Sequence, residues 1–195
     1  QLQPRLIQRF GRIERAPRER RAPEWVLVQG VIGARTRSEV SNAATDRLLA
    51  KHGSWEAVAE APLEELQDDL ATQTYPNVAG ERLKACLADL IARRGAVDLS
   101  HLEPMETDGA MAWLEQLPGV GRKIAAGVVN ASTLDRKALV LDSHHRRVLQ
   151  RMGLVPQKAD TARAYAAIMS AMPSEWSAAD YDEHHVLMKE IGRAF

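Results

Sequence analysis

The stretch that decides the fold is Leu117-Pro118-Gly119-Val120-Gly121-Arg122-Lys123, which runs straight into Ile124-Ala125-Ala126-Gly127-Val128-Val129. Pro118 followed by Gly119 is turn chemistry, and the segment after it reads as a helix. Gly119 and Gly121 permit positive φ and let another backbone come close. A helix opening at Arg122 presents unsatisfied N–H groups and the positive end of its dipole at the turn. That makes an anion cradle suited to a nucleic-acid phosphate. Arg122 adds a cation. Taken alone, the corner is equally an ordinary glycine-capped junction between two helices, so its meaning depends on its surroundings.

Outward from the turn, helical period dominates, and no segment alternates apolar and polar residues for long enough to be assigned as a strand. Residues 4–15 place Leu6, Ile7, Phe10 and Ile13 at helical spacing. Residues 24–34 are almost wholly apolar, as in a helix buried on all sides, and Pro23 suits its start. Further helices are expected over Ser38–His52, Trp55–Ala61 behind an N-cap at Ser54, Pro62–Leu70, Glu81–Arg94 and Thr107–Gln116. The hairpin helix, Arg122–Ser132, follows. Asp142 or Ser143 is expected to cap a helix reaching Met152, with Thr161–Met172 and Asp180–Ile191 after it. Residues Tyr75–Gly80 read as a loop. About ten short helices without a sheet predict an all-α protein.

The chain has 195 residues, one cysteine, and 26 basic against 26 acidic side chains. The length suits one unit or two small ones sharing a core. Cys86 alone makes neither an internal disulfide nor a cysteine-built metal cluster within these residues. No apolar run approaches the ~18–20 residues of a membrane span. The chain opens on Gln with no signal-peptide pattern, so a trimmed start and a cytoplasmic, nucleoid-associated location are expected. The zero net charge hides an asymmetry. Residues 1–22 carry Arg5, Arg9, Arg12, Arg15, Arg18, Arg20 and Arg21 against Glu14 and Glu19, +5 in all, which leaves −5 for the rest. Such an arm is either a phosphate-contacting footprint or a solvated helix face.

Nineteen positions after Lys123 comes Asp142, within Val140-Leu-Asp-Ser-His-His-Arg-Arg-Val148, and near the end lies Asp182-Glu-His-His-Val-Leu-Met-Lys-Glu-Ile-Gly-Arg193. Together with the hairpin, these blocks resemble the helix-hairpin-helix DNA glycosylase superfamily in its endonuclease III branch, over residues 23–193. The resemblance implies two helical domains with a DNA cleft between them: residues 23–136, holding the hairpin, and residues 1–22 plus 137–195. It implies catalytic roles for Lys123 and Asp142, and DNA contacts from Gly119, Val120, Gly121, Arg122, Ser143, His144 and Arg147. The implied activity is removal of damaged, oxidised pyrimidines through a lysine Schiff base, with strand cleavage by β-elimination. The partner is duplex DNA with damaged bases or abasic sites, bound by a monomer. The chemistry is coherent: a lysine partly desolvated beside Arg122 and a helix N-terminus has a lowered pKa. A carboxylate such as Asp142 steadies the developing positive sugar. The alternatives are a relative with altered base specificity, such as mismatched uracil or thymine, and a non-catalytic hairpin protein.

Three features depart from or extend the family pattern. Where relatives carry a glutamine that fills the space left by the extruded nucleotide, this chain reads Ile32-Gly33-Ala34-Arg35-Thr36-Arg37, so Arg35 and Arg37 are the DNA-contact candidates there. Relatives often follow the Gly-Arg block with four cysteines holding a 4Fe-4S cluster. No cofactor is expected within these residues, and a cluster only if the native chain continues past Phe195. Tyr75 and Val78 are candidates for an apolar wedge in the base stack. The six histidines show no metal-ligand spacing, so no metal site is expected. Cys86, the four tryptophans and Asn130 read as structural first.

Overall fold

The computed structural model describes residues 2–12 and 20–194. Ile13, Glu14, Arg15, Arg18 and Glu19 of the basic arm lie outside them. Among the described residues the chain is helical throughout, without strands: α1 (Leu2–Phe10), α2 (Pro23–Ile32), α3 (Ser38–His52), α4 (Trp55–Glu60), α5 (Leu63–Asp69) and α6 (Pro76–Arg94) come first. A short 3-10 turn, Ser100–Leu102, leads to α7 (Thr107–Leu114), α8 (Arg122–Ala131), α9 (Ser143–Arg151), α10 (Thr161–Met169) and α11 (Ala178–Ala194).

Capping is local and follows the sequence. Ser54 accepts the N–H of Ala57 at 3.1 Å, and Asp160 accepts that of Arg163 at 2.8 Å. Each satisfies a donor that the first helical turn leaves open. At α9 the cap is Asp142 rather than Ser143, its Oδ1 accepting the His145 N–H at 2.8 Å. The expected loop at Tyr75–Gly80 is instead the first turn of α6, which Pro76 opens. The proline fits because the first helical position needs no N–H. Gly80 is there because α5 presses on it: a Cβ would come within 3.0 Å of Gln67 Cγ.

α8 is the seam of the molecule. It packs on α2 and α7 to one side and on α10 and α11 to the other. α2 is apolar on every face and buries Val26, Leu27, Val28, Val31 and Ile32. Each such side chain contributes roughly 1.5–3 kcal/mol. Gly30 lets α2 and α8 approach: a Cβ there would lie 2.8 Å from Ile124 Cγ2. Asn130 does a structural job, its buried amide donating to the carbonyls of Arg136 at 2.9 Å and Ala178 at 3.0 Å. Those bonds join α8 to the start of α11. α1 packs on α11, where Gln3 reaches Glu183 and His184. Cys86 is buried on α6, and burial pushes its thiol up to about 12, so it is an inert packing residue.

Candidate active site

The hairpin closes as a hydrogen-bonded turn. The Val120 N–H donates to Leu117 O at 3.1 Å, with Pro118 second and Gly119 third at φ +79. This is a type II turn, in which proline presets the second position and the third requires positive φ. Leu117 and Val120 point inward and are buried. Gly121 differs from expectation. Its φ is −106, so it needs no glycine conformationally. A Cβ on it would meet only open space, which leaves room for a ligand backbone. No acceptor among the described residues answers the N–H groups of Gly121, Arg122 or Lys123. The turn therefore ends in a row of free donors at a helix N-terminus, the geometry of an anion cradle.

Lys123 stands in the first turn of α8 and is exposed. The desolvation expected for it is thus absent in the free protein, because nothing from α9 or α11 covers the amine. Arg122 is not a loose cation either. Its Nε lies 2.7 Å from Glu115 Oε1 across the hairpin, and its guanidinium stacks 5.3 Å over the Tyr165 ring. These partners fix its direction and offset its charge.

α11 supplies the floor. His185, Lys189 and Gly192 fall at helical spacing on the face that meets the start of α9. His185 is buried and feels the charges of Asp142, Lys189, Asp182 and Lys123. The centre thus joins the hairpin lysine, the α9 cap and two α11 residues that sequence reasoning did not select. Burial lowers the Lys189 amine, with Arg193 adding to the effect and Asp142 opposing it. The signal available in the sequence was the stripe at positions 185, 189 and 192. Gly192 touches the α9 backbone so closely that a Cβ would sit 2.7 Å from the His144 carbonyl oxygen. That same Gly192 carbonyl accepts from Arg147, and His144 Nδ1 lies 3.1 Å from it. His144 and Arg147 are therefore clamped to the end of α11, whereas Ser143 is exposed.

Behind this floor His145, His184 and His185 pack together, with ring centroids 5.3 and 6.1 Å apart. Neither ring nitrogen of His145 has a hydrogen-bond partner. Burial, then the neighbouring imidazoles, pushes His145 well below its usual range, and burial brings His184 down to about 4. All three are neutral packing groups at neutral pH.

Across the hairpin lies a second constellation. Arg35 adopts φ +56 in the turn after α2. The turn is pinned by Thr74, whose hydroxyl donates to Arg35 O at 3.0 Å and whose N–H donates to Thr36 Oγ1 at 3.0 Å. Tyr75 and Val78, at the start of α6, are both exposed. Together with Ile32, Ala34, Arg35 and Arg82 they line an open groove of about 260 Å³. Arg37 is exposed beside the same turn. Arg82 was not singled out from the sequence. Its stem lies over the hairpin, Cβ and Cγ each 3.7 Å from the place of a Cβ on Gly119.

His52, Glu65 and Asp69 approach one another closely enough to suggest a cation site. The Lys51 ammonium already fills that role, 2.7 Å from Asp69 and 2.8 Å from Glu65. A 4Fe-4S cluster does not fit the residues present. Cys86 is the one cysteine in the chain, and it is buried in α6.

The family model described as HhH-GPD superfamily base excision DNA repair protein matches residues 28–183. Endonuclease III of Bacillus subtilis (strain 168) is 29% identical over 167 residues, 85% of this chain and 70% of that protein. Protein ROS1A of Oryza sativa subsp. japonica is 28% identical over 134 residues, 68% of this chain but 7% of the rice protein. A solved structure of endonuclease III trapped as a covalent intermediate with DNA superposes with a TM-score of 0.74 at 24% identity, covering 98% of this chain and 83% of that one. With the hairpin, the α8–α9–α11 centre and a family match over most of its length, the chain belongs to the helix-hairpin-helix superfamily of base excision DNA repair proteins, in its endonuclease III-like part.

Proposed function

We propose that the protein is a DNA glycosylase with abasic-site lyase activity, acting on oxidised pyrimidines in duplex DNA. The DNA lies across the cleft between residues 23–136 and the unit formed by residues 1–22 with 137–195. The observation that carries this reading is the meeting of Lys123 and Asp142 around His185. A nucleophilic amine and a carboxylate stand together at the mouth of an anion cradle.

The hairpin N–H groups hold a backbone phosphate of the damaged strand, which places the extruded nucleotide over Lys123. DNA then covers the exposed amine and excludes water from it. The Lys123 Nζ lone pair attacks C1′, and the N-glycosidic bond breaks with its electron pair leaving on the base, which takes up a proton. The Asp142 carboxylate, with Oδ2 free while Oδ1 caps α9, faces the positive charge growing at C1′. Ring opening gives an iminium between Nζ and C1′. Loss of a 2′ proton to a base in the site then expels the 3′ phosphate, which breaks the strand. Water hydrolyses the iminium and frees Lys123.

Borohydride trapping on abasic and thymine-glycol duplexes tests the reading. A covalent adduct is expected with the wild type and none with Lys123→Ala. An adduct that forms equally well in the variant refutes the mechanism. If the wild type traps on abasic DNA but leaves thymine glycol intact, the lyase stands and the base specificity lies elsewhere, among mismatched uracil or thymine. Duplex binding without nicking would leave a non-catalytic hairpin protein.

A further inference from the structure

The groove on the far side of the hairpin carries a feature that catalysis does not use. Its floor and one rim are apolar, from Ile32, Ala34, Tyr75 and Val78, and its ends are two guanidiniums, Arg35 and Arg82. Neither guanidinium has a hydrogen bond or an ion pair among the described residues. That contrasts with Arg122 and Arg147, which are both engaged. Arg82 is held by its stem against Gly119, so its position is tied to the hairpin that grips the strand. Arg35 is held by its backbone, through the Thr36–Thr74 bonds. Two aimed, unsatisfied forks over an apolar floor suit a flat ring with acceptors along one edge. A hydrated phosphate does not need the apolar floor.

We propose that this groove receives the base opposite the lesion, and that Arg35 and Arg82 make guanine the preferred one. Guanine offers O6 and N7 side by side, the pair that an arginine fork reads bidentately, whereas adenine sets a donor beside N7. Arg82 is then a specificity-determining residue, with Tyr75 and Val78 flanking the ring it reads. The proposal rests on the reading of the chain as a glycosylase that extrudes its target.

The test is equilibrium binding by fluorescence anisotropy to duplexes that carry a tetrahydrofuran abasic analogue opposite G, A, C or T. A fifth duplex has tetrahydrofuran on both strands. The wild type is expected to bind the guanine duplex about tenfold more tightly than the adenine duplex. Arg82→Leu and Arg35→Gly are each expected to bring that ratio within threefold while leaving the fifth duplex unchanged. Both residues are exposed, and glycine suits the positive φ at position 35. Arg82→Lys should keep the charge and lose the discrimination. A flat wild-type profile overturns the proposal, as does an Arg82→Leu variant that weakens all five duplexes equally, the mark of a phosphate contact. Binding that ignores the opposite base leaves trapping at Lys123 untouched. Lost trapping with a preserved guanine preference overturns the lyase chemistry alone.

Discussion

The two sides of the hairpin are built on opposite plans. On the catalytic side, charged groups are spent on the protein itself. Arg122 is bound to Glu115, Arg147 to Gly192 O, and Asp142 caps its own helix. Lys123 and Ser143 remain exposed and uncommitted. On the groove side Arg35, Arg37 and Arg82 stand open to solvent with Tyr75 and Val78 between them. Chemistry needs groups whose geometry is set before DNA arrives, which rewards internal bonds. Recognition needs donors that are satisfied only when DNA arrives. The contrast predicts that substitutions on the catalytic side cost rate or stability, while those on the groove side shift preference.

The largest effect is expected at the reacting groups. Lys123→Ala should abolish trapping and lower strand nicking by about 10³-fold or more. Asp142→Asn should lower it by roughly 10²-fold with an unchanged melting temperature, because asparagine caps a helix as well as aspartate does. Single-turnover kinetics beside thermal melts separate the two readouts. A coupled loss of rate and melting temperature in Asp142→Asn would mean that the carboxylate serves the fold alone.

The next effect is on stability against pH. The unfolded chain protonates its histidines near 6.5, while His184 in the fold waits until about 4 and His145 and His185 are also lowered. The unfolded state therefore binds more protons between those values. Stability is complete above about pH 6.5 and falls as pH drops toward 4, on the order of 3 kcal/mol for His184 alone. Denaturant midpoints across pH 7 to 4 measure it. His184→Gln should flatten part of the slope, and an unchanged slope would show that the histidine cluster is not its source.

Gly192→Ala should come third, at about 1–3 kcal/mol, since a Cβ meets the His144 carbonyl at 2.7 Å and a backbone cannot step aside cheaply. Gly30→Ala, which meets the branched end of Ile124 at 2.8 Å, is expected to cost less, because that side chain can turn. Urea midpoints for the two variants rank them. The reverse order would mean that α2, and not α11, fixes the position of α8.

How far the sequence can be read follows from how local each cause is. Pro118 and Gly119 specify their turn within four residues, and Asp142 caps with its own side chain, so both were legible. Gly80 and Pro76 misled, since a proline and a glycine five positions apart resemble a loop. The reason for the glycine is Gln67 on another helix. Gly121 misled for the same kind of reason, because what it provides is open space and not positive φ. Glu115, Tyr165, Lys189 and Arg82 became functional only once distant helices met, and no spacing rule reaches that far.

The smallest effect should fall on the groove side, and it sharpens the contrast most. Thr74→Val keeps the shape but removes both the hydroxyl that donates to Arg35 O and the backbone partnership it supports with Thr36. The site is exposed, so water replaces part of what is lost and the cost is about 1 kcal/mol or less. Arg35 is a non-glycine residue at φ +56, a conformation that depends on such bonds, and without them the turn relaxes and the guanidinium loses its aim. Nicking of an abasic site opposite guanine should then approach the rate opposite adenine, while trapping at Lys123 proceeds as before. If instead Thr74→Val slows nicking uniformly and leaves the opposite-base ratio intact, the turn serves catalysis, and the division between a self-bonded catalytic side and an open recognition side fails.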